Sequence, residues 1–132
     1  MFDDDQDPLP AGELSLQTIA MPADANFNGD IFGGWLVSQM DLAGAVFAQR
    51  LARGRVATVA IDGMSFLRPV PIGSVISCYC ELIDVGRSSM KIRIEVWITD
   101  HHDHRAKVTE GLFTFVAIDK TGRTRPVPKS DK

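Results

Sequence analysis

The segment Trp35–Ala52 contains no proline, and its apolar residues do not keep to one side. Leu36, Val37, Met40, Leu42, Ala43, Ala45, Val46, Phe47, Ala48 and Leu51 cover nearly the whole circumference of a 3.6-residue helix. Gly33-Gly34 lead into that helix, and Gly54 follows it as the expected C-cap. A helix apolar all round has to be buried, and a flat sheet covers only one side of it. Ala43, Gly44, Ala45, Ala48 and Ala52 are small enough to let another backbone come close. The rest of the chain must therefore supply a wrapping.

The remaining segments read as strands. Leu14–Ala20 alternates apolar and polar residues and is stopped by Pro22. Val56–Phe66 and Val75–Val85 are rich in β-branched and apolar residues. Ser88–Ile98 places Met90, Ile92, Ile94, Val96 and Ile98 on one face and Lys91, Arg93 and Glu95 on the other. Lys107–Ile118 is apolar on both faces, with Leu112, Val116 and Ile118 opposite Phe113, Phe115 and Ala117. Turns fall at Asn28-Gly29, Pro69–Pro71, Asp84–Arg87 and Asp100–His104. The class is α+β: one long central helix wrapped by a curved antiparallel sheet of five to six strands. One helix occupies one face of the sheet, so the second apolar face points to a partner subunit and a homo-oligomer. Residues 1–12, acidic and holding Pro8 and Pro10, read as a flexible arm; 13–128 form the domain and 129–132 a tail.

Several classes are excluded. No apolar run approaches the roughly 20 residues of a membrane span, and the opening Met1-Phe2-Asp3-Asp4-Asp5 has no leader pattern. The cytoplasm is the expected compartment. A net charge of −3 argues against nucleic acid as a partner. Cys78 and Cys80, two apart on a strand, read as small buried hydrophobes and not as a disulfide or metal site. His101, His102 and His104 sit in a charged turn, which argues for solvation over metal binding. There is no nucleotide-binding glycine loop and no nucleophile elbow.

Asp41 is the residue out of place. Its helical neighbours Val37, Gly44 and Ala45 are apolar, and only Ser38 is polar. A carboxylate there loses hydration and becomes a stronger base when ionised. It lies about two turns from Gly33-Gly34, whose free helix-end amides can polarise a carbonyl oxygen. Asp30 and Asn28 stand just before the helix as further polar candidates, either as cap and loop ligands or as lining of the same cleft, across a subunit interface if need be. Basic residues gather at Arg53 and Arg55, at Arg87 beside Ser88 and Ser89, and at Arg123 and Arg125, where guanidinium forks and hydroxyls suit phosphate oxygens.

The strings Met21-Pro22-Ala23-Asp24-Ala25-Asn26, Asn28-Gly29-Asp30-Ile31-Phe32-Gly33-Gly34-Trp35 and Ser38-Gln39-Met40-Asp41 resemble the YciA-type acyl-CoA thioesterases of the hotdog fold. Met64-Ser65-Phe66-Leu67-Arg68-Pro69-Val70, Gly86-Arg87-Ser88-Ser89 and Glu95-Val96-Trp97 continue the likeness, which runs from about residue 14 to residue 128. The resemblance implies hydrolysis of fatty acyl-CoA to free acid and CoA. Asp41 would be the catalytic general base or nucleophile, and Asp30 the second polar position with Asn28 nearby. Gly33 and Gly34 would hold the thioester carbonyl. Arg87, Ser88 and Ser89 would contact CoA, helped by Arg68 or the tail arginines. It implies a homodimer as minimal unit, a trimer-of-dimers hexamer, and no cofactor beyond the CoA of the substrate. A hotdog dehydratase would want a histidine near the helix, and none is there; an acyl-CoA sensor would want an output domain.

Overall fold

The computed structural model describes residues 9–129, so most of the predicted arm and the last three residues of the tail lie outside it. Its elements are β1 (Glu13–Ile19), α1 (Gly33–Ala52), β2 (Val56–Phe66), β3 (Val75–Val85), β4 (Ser89–Thr99) and β5 (Arg105–Ala117), with a single 3-10 turn at Pro22–Asp24. The strands form one antiparallel sheet in the order β1-β3-β4-β5-β2. The hotdog architecture expected from the sequence is therefore present, with five strands. No helix among the described residues is long and apolar enough to cross a membrane.

The inner face of the sheet is built from period-two alternation. Met90, Ile92, Ile94 and Val96 of β4 and Phe113, Phe115 and Ala117 of β5 are fully buried against α1. The helix answers with Leu36, Met40, Ala43, Gly44, Ala48 and Ala52, a stripe at helical spacing. Gly44 sets the distance between the layers. A Cβ there would lie 2.7 Å from both Ile94 Cδ1 and Phe115 Cζ, so the helix backbone rests directly on two core side chains.

Two expectations about the helix need correction. The sheet does not cover its whole circumference: Leu42 remains 55% exposed and Val46 46%. A single sheet shields one side only, and the other side of the helix is left for something else to cover. The helix also ends at Arg53, not Gly54: Arg53 adopts φ 55°, ψ 45° and its N–H bonds to Gln49 O. Gly54 serves a different purpose. A Cβ on it would come within 2.6 Å of Arg125 Nη2, which donates to Ala52 O at 2.8 Å and so satisfies a terminal carbonyl of α1.

The outer face of the sheet is polar but not simply wet. Glu95 is buried, and its oxygens accept from Trp97 Nε1 at 2.8 Å and Ala11 N–H at 3.3 Å, with Lys107 Nζ 3.7 Å away. Arg93 pairs with Glu81 at 3.0 Å beside them. Residues up to Gly12 were expected to be loose, yet Ala11 is tied to this carboxylate. Gly12, at φ +90°, makes the turn beneath which a side chain would collide with the Cys80 carbonyl.

Cys78 and Cys80 are free and buried. Burial pushes the Cys78 thiol up to about 12 and the Cys80 thiol up to about 11. Both are therefore protonated near neutral pH, and a thiol-specific reagent at pH 8 is expected to leave the folded protein unlabelled and to label two sites after denaturation. Valine at Gly44 should force the layers apart and cost about 3 kcal/mol, read as a lowered thermal midpoint. An unchanged midpoint for Gly44→Val would contradict the direct seating of helix on sheet.

Candidate active site

Asp41 sits on α1 where the helix faces the edge strand β2. It is half-buried, and Thr58 Oγ1 donates to its Oδ1 at 2.6 Å. A register shift between Thr58 and Ala60 sets this contact up. Thr58 lies opposite Phe115 and Ile61 opposite Phe113, so both point to the helix side although three residues apart. Without the shift, strict alternation would have turned one of them outward. Asp41 thus has one fixed hydrogen bond and a carboxylate edge open at the rim of the sheet, a base held in one orientation.

The residues before the helix form a second centre. Asn26, Asp30, Gly33, Leu36, Phe66 and Arg68 are among those lining a cleft of about 450 Å³ at the N-terminal end of α1. Phe32, not Asp30, occupies the N-cap position. Asp30 is instead fixed by its backbone, which bridges to Pro71 and bonds to Asn26. Among the described residues, no backbone acceptor meets the N–H groups of Gly33 or Gly34. These amides can therefore receive an oxygen from a ligand. A Cβ at Gly33 would lie 3.3 Å from Phe66 Cζ, a tight fit that the ring would have to yield to; at Gly34 a Cβ would meet nothing.

Asn28 is exposed and does not line this cleft, whereas Asn26 does. Asn26 Oδ1 accepts from the N–H groups of Asn28 at 2.9 Å and Asp30 at 3.2 Å, closing the turn through Gly29. The Asn-Gly signal drew attention to residue 28; an asparagine two positions before such a turn, able to cap it, was the signal for Asn26. Thr58 was also missed, because nothing in a β-branched strand marks the one threonine that a bulge turns inward.

The sequence placed Asp41 and the glycine pair in one region, and a single chain does not bring them together. Asp41 and Gly33 are eight residues apart, about 12 Å along the helix, and Asp41 does not line the cleft. The predicted phosphate contacts are divided too. Arg68 belongs to the cleft, while Arg87 lines a pocket of about 630 Å³ at the other end of α1 with Arg50, Arg53 and Lys129. Ser88 and Ser89 are half-buried beside it, in the turn closed by Gly86 N–H to Ser89 O. Arg125 is not free for a ligand: its guanidinium donates to Ala52, Ile118 and Pro126 carbonyls. His101, His102 and His104 lie in an exposed turn ordered around the Asp100 carboxylate, and backbone N–H groups of His104 and His102 hold that carboxyl below its usual range. Among the described residues no group of three or more His, Cys, Asp or Glu is disposed to hold a metal ion.

The same arrangement of residues occurs in a chain similar to several known proteins. The model of the thioesterase superfamily matches residues 28–105. The acyl-CoA thioester hydrolase YciA of Salmonella typhimurium is 52% identical over 126 residues, covering 92% of this chain and 95% of its own. Among solved structures, the hexameric thioesterase y2039 from Yersinia pestis has a TM-score of 0.89 at 54% identity, covering 92% of this chain and 100% of that one. HI0827, a hexameric broad specificity acyl-coenzyme A thioesterase, has a TM-score of 0.90 at 47% identity, covering 98% of this chain and 90% of that one.

Proposed function

The chain belongs to the thioesterase superfamily, and on that premise we propose that it hydrolyses acyl-CoA thioesters to free acid and CoA, at a site assembled from two copies of itself. One observation carries the reading. Asp41 is oriented by Thr58 at an open sheet edge, while the unpaired amides at Gly33 stand about 12 Å away along the helix, in the cleft that Asp30 also lines. Two-fold pairing of chains along their β2 edges would lay the helix start of one copy against the Asp41 of the other. The exposed apolar residues Leu42 and Val46 on α1 and Val59 on β2 support such a pairing, because each chain leaves them uncovered.

In that site the helix-end amides polarise the thioester carbonyl. Asp41 takes a proton from water, whose oxygen attacks the carbonyl carbon, or attacks it directly and is released by water in a second step. In the first route the C–S bond breaks as Asp41 passes the water's proton to the departing thiolate; in the second the C–S bond breaks as the anhydride forms, and the thiolate takes up a proton from the water that then cleaves the anhydride and frees Asp41. A thiolate leaves readily because its conjugate acid is far stronger than an alcohol, so one carboxylate and aimed dipoles suffice without a cofactor. Thr58 fixes the carboxylate so that its free oxygen faces the substrate. The basic pocket of Arg87, with Ser88 and Ser89 beside it, takes the phosphates of CoA, and Arg68 stands at the cleft end. The dimer is the minimal unit and three dimers make a hexamer, a reading that hexameric relatives support. The enzyme works in the cytoplasm on a small-molecule substrate, without nucleic acid or membrane insertion.

Asp41→Asn should lower kcat about a thousandfold with little change in KM, measured by thiol release from acyl-CoA. Near-normal turnover would remove Asp41 from the mechanism. Asp30→Asn should also be impaired. Co-refolded one to one with Asp41→Asn, it should regain about a quarter of wild-type activity, because half the dimers are mixed and each mixed dimer holds one intact site. No recovery would place the whole site within one chain. Thr58→Val should cut kcat about tenfold and Thr58→Ser should restore most of it, since only the hydroxyl is asked to act. Equal loss in both variants would reduce Thr58 to a packing residue.

A further inference from the structure

Among the described residues Phe27 is the most exposed large apolar side chain, at 108% of the reference value, so it packs against no other described residue. It does not project from a slack loop. Asn26 N–H bonds to Asp30 O at 2.7 Å, Gly29 N–H bonds to Asn26 O at 3.1 Å, and the Asn26 carboxamide accepts from the N–H groups of Asn28 and Asp30. Four hydrogen bonds therefore hold the turn that presents the ring to water. Leaving a phenyl group in that position is unfavourable unless something covers it in the working protein. The cleft of its own chain does not, since Phe27 is absent from the lining to which its neighbours Asn26 and Asp30 contribute.

The complementary surface lies beside Asp41. Leu42, next to Asp41 on α1, and Ile61, on the same helix-facing side of β2 as Thr58, are 55% and 41% exposed. A turn that brings Asp30 and Gly33 of one chain to Asp41 of another necessarily brings Phe27 with it. We propose that Phe27 forms one wall of the acyl channel of the neighbouring copy's site, closing over Leu42 and Ile61 and contacting the hydrocarbon of the bound thioester. This rests on the two-chain acyl-CoA site proposed above and adds to it the residue that reads the acyl chain. Asn26 and Asp30 of the turn line the cleft that receives the carbonyl, and its one apolar member faces the chain attached to it. Phe27 is thus a specificity residue for medium and long acyl groups, acting on a site to which its own chain contributes no Asp41.

The experiment compares kcat/KM across straight-chain acyl-CoAs from acetyl to dodecanoyl for wild type, Phe27→Ala and Phe27→Leu, with light scattering on each. The expected result is a ratio of dodecanoyl to acetyl kcat/KM lowered about tenfold in Phe27→Ala, the size of losing contact with two or so methylenes, and largely restored in Phe27→Leu, at unchanged oligomer mass. A chain-length profile identical to wild type overturns the proposal, whether the oligomer stays intact, which leaves Phe27 idle, or dissociates, which makes it an interface plug only. Wild-type thiol release in the same panel tests the underlying activity separately, so the failure of one is distinguishable from the failure of the other.

Discussion

The structure depends on how closely one helix can approach one sheet. At Gly44 there is no side chain between the α1 backbone and the Ile94 and Phe115 side chains, so the two layers meet at the shortest possible separation. The seating fixes the rotation of the helix about its own axis. With Leu36, Met40, Ala43, Gly44 and Ala48 turned inward, Asp41 falls at the boundary where the helix meets β2, and Leu42 and Val46 fall on the open side. A rotation of one residue, about 100°, would bury the carboxylate or aim it into solvent. The position of Asp41 is therefore a consequence of core packing.

The edge strand does the rest. A regular β2 would alternate, and either Thr58 or Ile61 would face away from the helix. The register shift between Thr58 and Ala60 turns both inward, giving Asp41 a hydroxyl donor on one side and an apolar neighbour further along the strand. An edge strand tolerates such irregularity because it has only one partner ladder to satisfy. The cost is an open edge with exposed Val59 and Ile61 beside a half-open helix, surface of the kind that a second copy covers. The placement of the Asp41–Thr58 pair and the uncovered edge come from the same strand.

Much of this could be read in the residues. The helix, the four long strands after it and their inward faces follow from periodicity, and the strand ends moved by only one or two residues, where the boundary is set by the last ladder bond. Asp41 stood out because a carboxylate among Val37, Gly44 and Ala45 has few reasons to be there. Other features were not readable. Asn26 outranks Asn28 because the turn closes on the carboxamide of the earlier residue. Arg125 looked like a free cation and is a cap for the last turn of α1. Arg53, not Gly54, takes the left-handed position, because Gly54 is needed to make room for that guanidinium.

Sequence alone determined the element types, the inward faces and which acid stands out on the helix, since these follow from local spacing and from the chemistry of single residues. Tertiary structure alone decided which groups meet. The hydroxyl of Thr58 reaches Asp41 through a shift in strand register, Glu95 is buried on the face that alternation gave to charged residues, and the glycine pair stands about 12 Å along the helix from the Asp41 of its own chain. The reason is physical: periodicity records which way a side chain points from its own backbone. The distance between two such side chains is set by bulges, close approaches and chain ends, each the outcome of contacts between residues remote in sequence.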